Sequence, residues 1–62
     1  MKLPKIEEVK SKGEARSLAI DWQEWQSNQN LSYGEMAVWN ELFTRLAHKY
    51  HLVQEFKENA II

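Results

Sequence analysis

The residues of this chain that could do chemistry are few: His48, His51 and Glu55, two serines at Ser11 and Ser32, and a scatter of carboxylates. On an unbroken helix, three- and four-residue steps would bring His48, His51 and Glu55 onto one face, where imidazole and carboxylate ligands could share a metal ion. The apolar register shifts at Tyr50-His51, however, so a helix end is expected between the two histidines. His48 also projects about 180° from Trp39 on a helical wheel, which places it on the polar side. Solvated histidines are therefore expected, with no metal site.

Nucleophilic and acid–base chemistry are no better provided for. There is no cysteine, no glycine-rich phosphate loop and no Gly-x-Ser-x-Gly sequence. Asp21, Glu24, Glu35, Glu41, Glu55 and Glu58 are spread over helix surfaces instead of being paired in an apolar setting that would raise a pKa. No catalytic residue and no cofactor is expected, and the chain reads as non-enzymatic.

The serines have a structural use that accounts for them. Ser11-Lys-Gly-Glu14 and Ser32-Tyr-Gly-Glu35 both have the form Ser-x-x-Glu. In this capping box the hydroxyl accepts from the amide three residues on and the glutamate reaches back to the serine amide. Leu31 and Met36 stand where a hydrophobic staple would join them across the second box. Behind the first box, Ala15, Leu18, Trp22 and Trp25 fall within about 80° of one another, with Ala19 beside them. Behind the second, Met36, Trp39, Leu42, Phe43, Leu46, Ala47 and Tyr50 span an arc of about 140°, wide enough to meet two neighbours. Both boxes place a glycine in the first turn, for which close approach of another segment would be one reason.

These signals predict an all-α fold: an antiparallel helical hairpin over about 11–29 and 32–50, joined by three to five residues, and a short third helix over about 52–58. Leu52, Val53 and Phe56 supply the face of the third helix, with Asn59 as its terminator. Residues 1–10, with Leu3, Ile6 and Val9 between charges, read as an N-terminal arm or a short helix ahead of a single small domain at 11–62. Glu41 and Arg45 are set to form a solvated pair four residues apart.

Composition narrows the function classes. Eight Lys plus Arg stand against nine Asp plus Glu for a formal net charge of −1, which gives no general attraction to nucleic acid or to an anionic membrane. Arg45, Lys49 and His48 make only a small basic patch. No apolar run approaches the roughly 20 residues of a membrane span, and the first residues lack a signal-peptide core, so a cytoplasmic protein is expected.

What stands out is apolar surface on the polar side. Ile20 falls among Arg16, Glu24 and Ser27, while Ala37 and Val38 flank the main arc of the second helix. The N-terminal arm, or Ile61 and Ile62, could cover them; otherwise a partner protein or a second copy would, since such patches mark interfaces. Ile20, Ala37 and Val38 are thus the candidate interface. The rival function is a small DNA-binding transcriptional regulator, for which two helices and a turn are not a sufficient signature.

Three stretches, Ala19-Ile-Asp-Trp-Gln-Glu-Trp-Gln-Ser27, Leu31-Ser-Tyr-Gly-Glu35 and Glu55-Phe-Lys-Glu-Asn-Ala-Ile-Ile62, resemble small helical proteins of unknown function carried by bacteriophages, prophages and plasmids. The likeness covers roughly residues 15–62. That pattern has glycine at the positions of His51 and Ala60, so both are departures and the helix ends there are open. The resemblance implies a bacterial or phage setting and an accessory role such as modulating a host protein. It carries no site residues.

Overall fold

Each long helix starts on a serine, but the two starts are not alike. The computed structural model describes all residues, Met1–Ile62. Helix α1 (Lys12–Gln26) begins behind Ser11, whose Oγ accepts from the Glu14 amide at 3.1 Å. Helix α2 (Tyr33–Tyr50) begins behind Ser32, whose Oγ accepts from the Glu35 amide at 3.2 Å while Glu35 Oε1 accepts from the Ser32 amide at 3.3 Å. Only the second box is reciprocal. At the first, Glu14 Oε2 accepts from the Lys10 amide at 2.6 Å, one residue before the serine. The chain enters α1 with Ser11 fully extended at φ −147°, whereas Ser32 enters at φ −71°; the carboxylate bonds the amide that each path presents.

No close approach of another segment accounts for the first-turn glycines. A Cβ on Gly34 would meet nothing within 4 Å, and one on Gly13 only the Ser11 Oγ at 3.9 Å. Neither glycine has positive φ, so neither is required by space or by backbone.

Helix α1 also ends earlier than its sequence pattern, at Gln26 rather than about residue 29, which lengthens the connection to residues 27–32. The cause is local competition for one carbonyl: Ser27 Oγ donates to Glu24 O at 2.8 Å and Asn28 Nδ2 to the same oxygen at 3.2 Å. Side chains of this type offer the backbone an alternative to the next helical turn. The connection remains short enough that α1 and α2 pack as an antiparallel hairpin. Helix α3 (Val53–Glu58) then lies against α2.

The core is built by the faces the sequence pattern identifies. Ala15, Ala19 and Trp22 from α1, Trp39, Leu42, Phe43, Leu46 and Ala47 from α2, and Leu52, Phe56 and Ile61 from the third helix and its flanks are buried, with Val9 from the arm. Aromatic rings run through it: Trp25 to Trp39 at 6.1 Å, Trp39 to Phe43 at 6.0 Å, Trp22 to Phe43 at 5.2 Å and Phe43 to Phe56 at 6.0 Å between centroids. Spacings of 4.5–7 Å are those at which ring quadrupoles add to burial.

The arm forms one 3-10 turn at Ile6–Glu8 and packs on α2. Its anchor is specific: Tyr50 Oη donates to the Val9 carbonyl at 2.6 Å, at the rim of the core.

Helix α2 ends on a left-handed residue, and α3 meets one directly after its cap Asn59, the expected terminator, which itself stays at φ −96°; in neither case is the left-handed residue glycine. His51 has φ 58° and Ala60 φ 57°. At each, the next amide reaches five residues back, Leu52 N–H to Ala47 O at 2.8 Å and Ile61 N–H to Phe56 O at 2.7 Å. That bond is the signature of a Schellman ending, which is accompanied by an apolar contact between the residue after the turn and the last helical turn. Here Leu52, Ala47, Ile61 and Phe56 are all buried.

Candidate functional site

The surface carries three hollows, and the candidate interface residues are divided among them. Ala37 borders the largest, a groove of about 380 Å³ between the first half of α2 and the C-terminal tail. Ile20 borders a second of about 160 Å³ between α1 and α3, and Val38 a third of about 200 Å³ between α2 and the arm. Ile20, Ala37 and Val38 therefore do not form one patch. Ala37 and Val38 are consecutive in α2, and a 100° step per residue points them to different sides.

Neither the arm nor the tail covers these residues fully. The tail sets Ile61 and Ile62 beside Ala37, and the arm sets Leu3 and Ile6 across from Val38. Val38 stays 48% exposed and Ile20 64%.

The hollows differ in chemistry. The second and third are each flanked by an ion pair. Arg16 Nε and Nη2 donate to the two carboxylate oxygens of Glu55 at 2.9 and 3.0 Å, joining α1 to α3 across the second hollow. The hydrogen bonds from Arg16 pull the Glu55 carboxyl below the usual glutamate range; partial desolvation opposes the shift, and the charges of Arg16 and Lys12 support it. The same hydrogen bonds, then the Glu55 charge, raise the Arg16 guanidinium. Gln23 Nε2 adds a second tie between these elements, donating to the Asn59 carbonyl at 2.6 Å. In the third hollow the expected Glu41–Arg45 pair forms at 2.9 Å.

The groove has no charged side chain in its walls. Trp22, Tyr33, Met36, Ala37, Ala60, Ile61 and Ile62 line it together with Asn40. Tyr33 projects almost entirely into solvent, at 91% exposure. Trp22 closes the groove from the core side, and its Nε1 is the one buried side-chain polar atom without a hydrogen-bond partner. A buried donor left unpaired costs about 1–3 kcal/mol.

Sequence reasoning singled out Ala37 but missed the rest of this stripe. Tyr33, Met36, Ala37 and Asn40 follow the spacing i, i+3, i+4, i+7 and so share one side of α2. The signal is present in the sequence, but Tyr33 also sits inside the capping box and Met36 also belongs to the apolar arc that faces the core. Ile61 and Ile62 could be placed only once the turn at Ala60 was known.

The histidines do not assemble. His48 is exposed on the last turn of α2, His51 is exposed in the turn itself, and Glu55 is held by Arg16. No group of three His, Cys, Asp or Glu side chains is close enough to hold a metal ion. No helix is long and apolar enough to cross a membrane. Comparisons with protein-family models, curated proteins and solved structures find no match.

Proposed function

We propose that this chain is a non-enzymatic interaction module, and that its binding face for another protein is the groove formed by Tyr33, Met36, Ala37, Ile61 and Ile62. The observation that carries this reading is the combination of an open groove of about 380 Å³ without a charged side chain in its walls and an aromatic ring standing almost free at its edge. Aromatic residues and Met are the types enriched where protein partners dock: a ring offers large contact area with few rotatable bonds, and the flexible thioether of Met adapts to the partner's shape. The resemblance to proteins of phages and plasmids supports an accessory role in a bacterial cytoplasm, in which the groove takes a host protein.

The DNA-binding reading is weaker on electrostatic grounds. Arg16 and Arg45 are both committed to carboxylates, which leaves scattered lysines and no basic stripe to follow a phosphate backbone.

Ala37→Arg places a long charged side chain in the groove from an exposed position, and is expected to keep the thermal midpoint of the parent protein. Captured proteins from a bacterial lysate should then differ between the two immobilised chains, with at least one specific partner lost in the variant. Identical capture by both chains, or none by either, rejects the groove. Retardation of duplex DNA at low salt, where phosphate contacts are strongest, would favour the regulator instead.

A further inference from the structure

We infer that α3 and the tail behind it exchange between two copies of this chain, with His51 as the hinge that opens. This goes beyond the groove reading and does not rest on it.

The hinge is one residue in an unfavourable conformation. Helix α2 is not stopped by a helix breaker: from Glu35 to Ile62 there is no glycine and no proline. It stops because His51 adopts φ 58°, ψ 45°, where an L-residue crowds its Cβ against the following carbonyl. Leu52 follows at φ −111°, ψ 12°, and α3 begins at once. Rotating His51 into the right-handed region, with a smaller adjustment at Leu52, joins α2 and α3 into one helix over residues 33–58. Such a helix is about 39 Å long at 1.5 Å per residue, well beyond the 29 Å long axis of the closed chain.

An opened chain cannot persist alone, because Leu52, Phe56 and Ile61 would leave the core and enter water. A second opened copy resolves this. Phe56 finds Phe43 of the other copy, Glu55 finds its Arg16, and the Asn59 carbonyl finds its Gln23, so the contacts that tie α3 to the core and to α1 are made again between chains. The Leu52 N–H gives up its bond to Ala47 O for the His48 carbonyl of a continuous helix, and the exchanged pair loses two strained hinges. Exchange of an identical element across a short strained connection is a low-cost route to a dimer.

Ala60 supplies an internal control. Its φ of 57° lies within the exchanged segment and is the same in the closed and exchanged forms.

The test compares the wild type with His51→Gly, His51→Ala and Ala60→Gly by sedimentation over a concentration series reaching the millimolar range. Glycine removes the strain that drives opening, by about fivefold per hinge, so His51→Gly should lower the dimer association constant by about 25-fold. His51→Ala should raise it, since histidine tolerates this conformation better than alanine. Ala60→Gly should leave it unchanged, as should Ala37→Arg, which separates this inference from the groove.

Charge complementation then identifies the exchanged element. Arg16→Glu and Glu55→Arg, each at a half-exposed position, are unfolded together, refolded and weighed intact by native mass spectrometry. In an exchanged dimer both cross-chain pairs become Glu with Arg only in the heterodimer, which should exceed the statistical half. A protein that stays monomeric even as His51→Ala overturns the inference. So does a dimer that responds equally to glycine at 51 and 60, or one that mixes statistically.

Discussion

The two ends of α2 are closed by different physics. At its start, Ser32 and Glu35 bond each other's backbone amides within four consecutive residues, and Gly34 beside them touches nothing. At its end, no side chain caps the carbonyls, and a histidine holds a conformation suited to glycine while Leu52 is drawn into the core at 1% exposure. The start is a local solution that would form in many surroundings. The end is local strain maintained by burial elsewhere.

The largest expected effect follows at the end. Leu52→Ala removes the side chain that holds the turn in place and should cost about 2–5 kcal/mol, measured by urea denaturation monitored through the tryptophans. If it costs no more than a surface change, the turn is not held by burial and the contrast between the two ends fails. Ser32→Ala, by comparison, breaks only the cap and should cost about 1 kcal/mol in the same measurement.

Substitution in the opposite sense sharpens the contrast. His51→Gly and Ala60→Gly should each stabilise the closed monomer by about 1 kcal/mol at a protein concentration where no dimer forms, because each relieves a left-handed L-residue. Gly34→Ala should stabilise by somewhat less, about 0.5 kcal/mol, since the added methyl meets open space and the unfolded chain loses freedom. A destabilising Gly34→Ala would show that the start of α2 is less local than the contacts indicate.

The smallest effect is a pH dependence at the Arg16–Glu55 tie. Because Glu55 titrates below its unfolded value, its stabilising contribution is complete above the ordinary glutamate range. The contribution is lost as pH falls through the lower folded value. Thermal midpoints of the wild type and Glu55→Gln should differ slightly at neutral pH and converge in acid. The exposure of the pair keeps this effect small.

Much of the fold was legible because its signals are periodic or contiguous. The arc from Trp39 to Ala47 and the faces around Trp22 and Phe56 are the buried ones, since a helix repeats every 3.6 residues whatever it packs against. The end of α1 was less legible: Ser27 and Asn28 compete for the Glu24 carbonyl, an outcome that depends on rotamers. The candidate site was legible only in part. Ala37 was found because it breaks the amphipathic pattern, but the groove around it also needs the tail, and Ile20 and Val38 turn out to belong to other hollows.

By itself, then, the sequence determined the helices, their starts and the side each turns inward, because these depend on neighbours within about four residues along the chain. Tertiary structure alone decided how the arm is pinned by Tyr50, that His51 and Ala60 turn left-handed, and that Ile61 and Ile62 become a wall of the groove. Each of those depends on what distant residues leave available: an unoccupied carbonyl, or a place in the core worth more than the strain of reaching it.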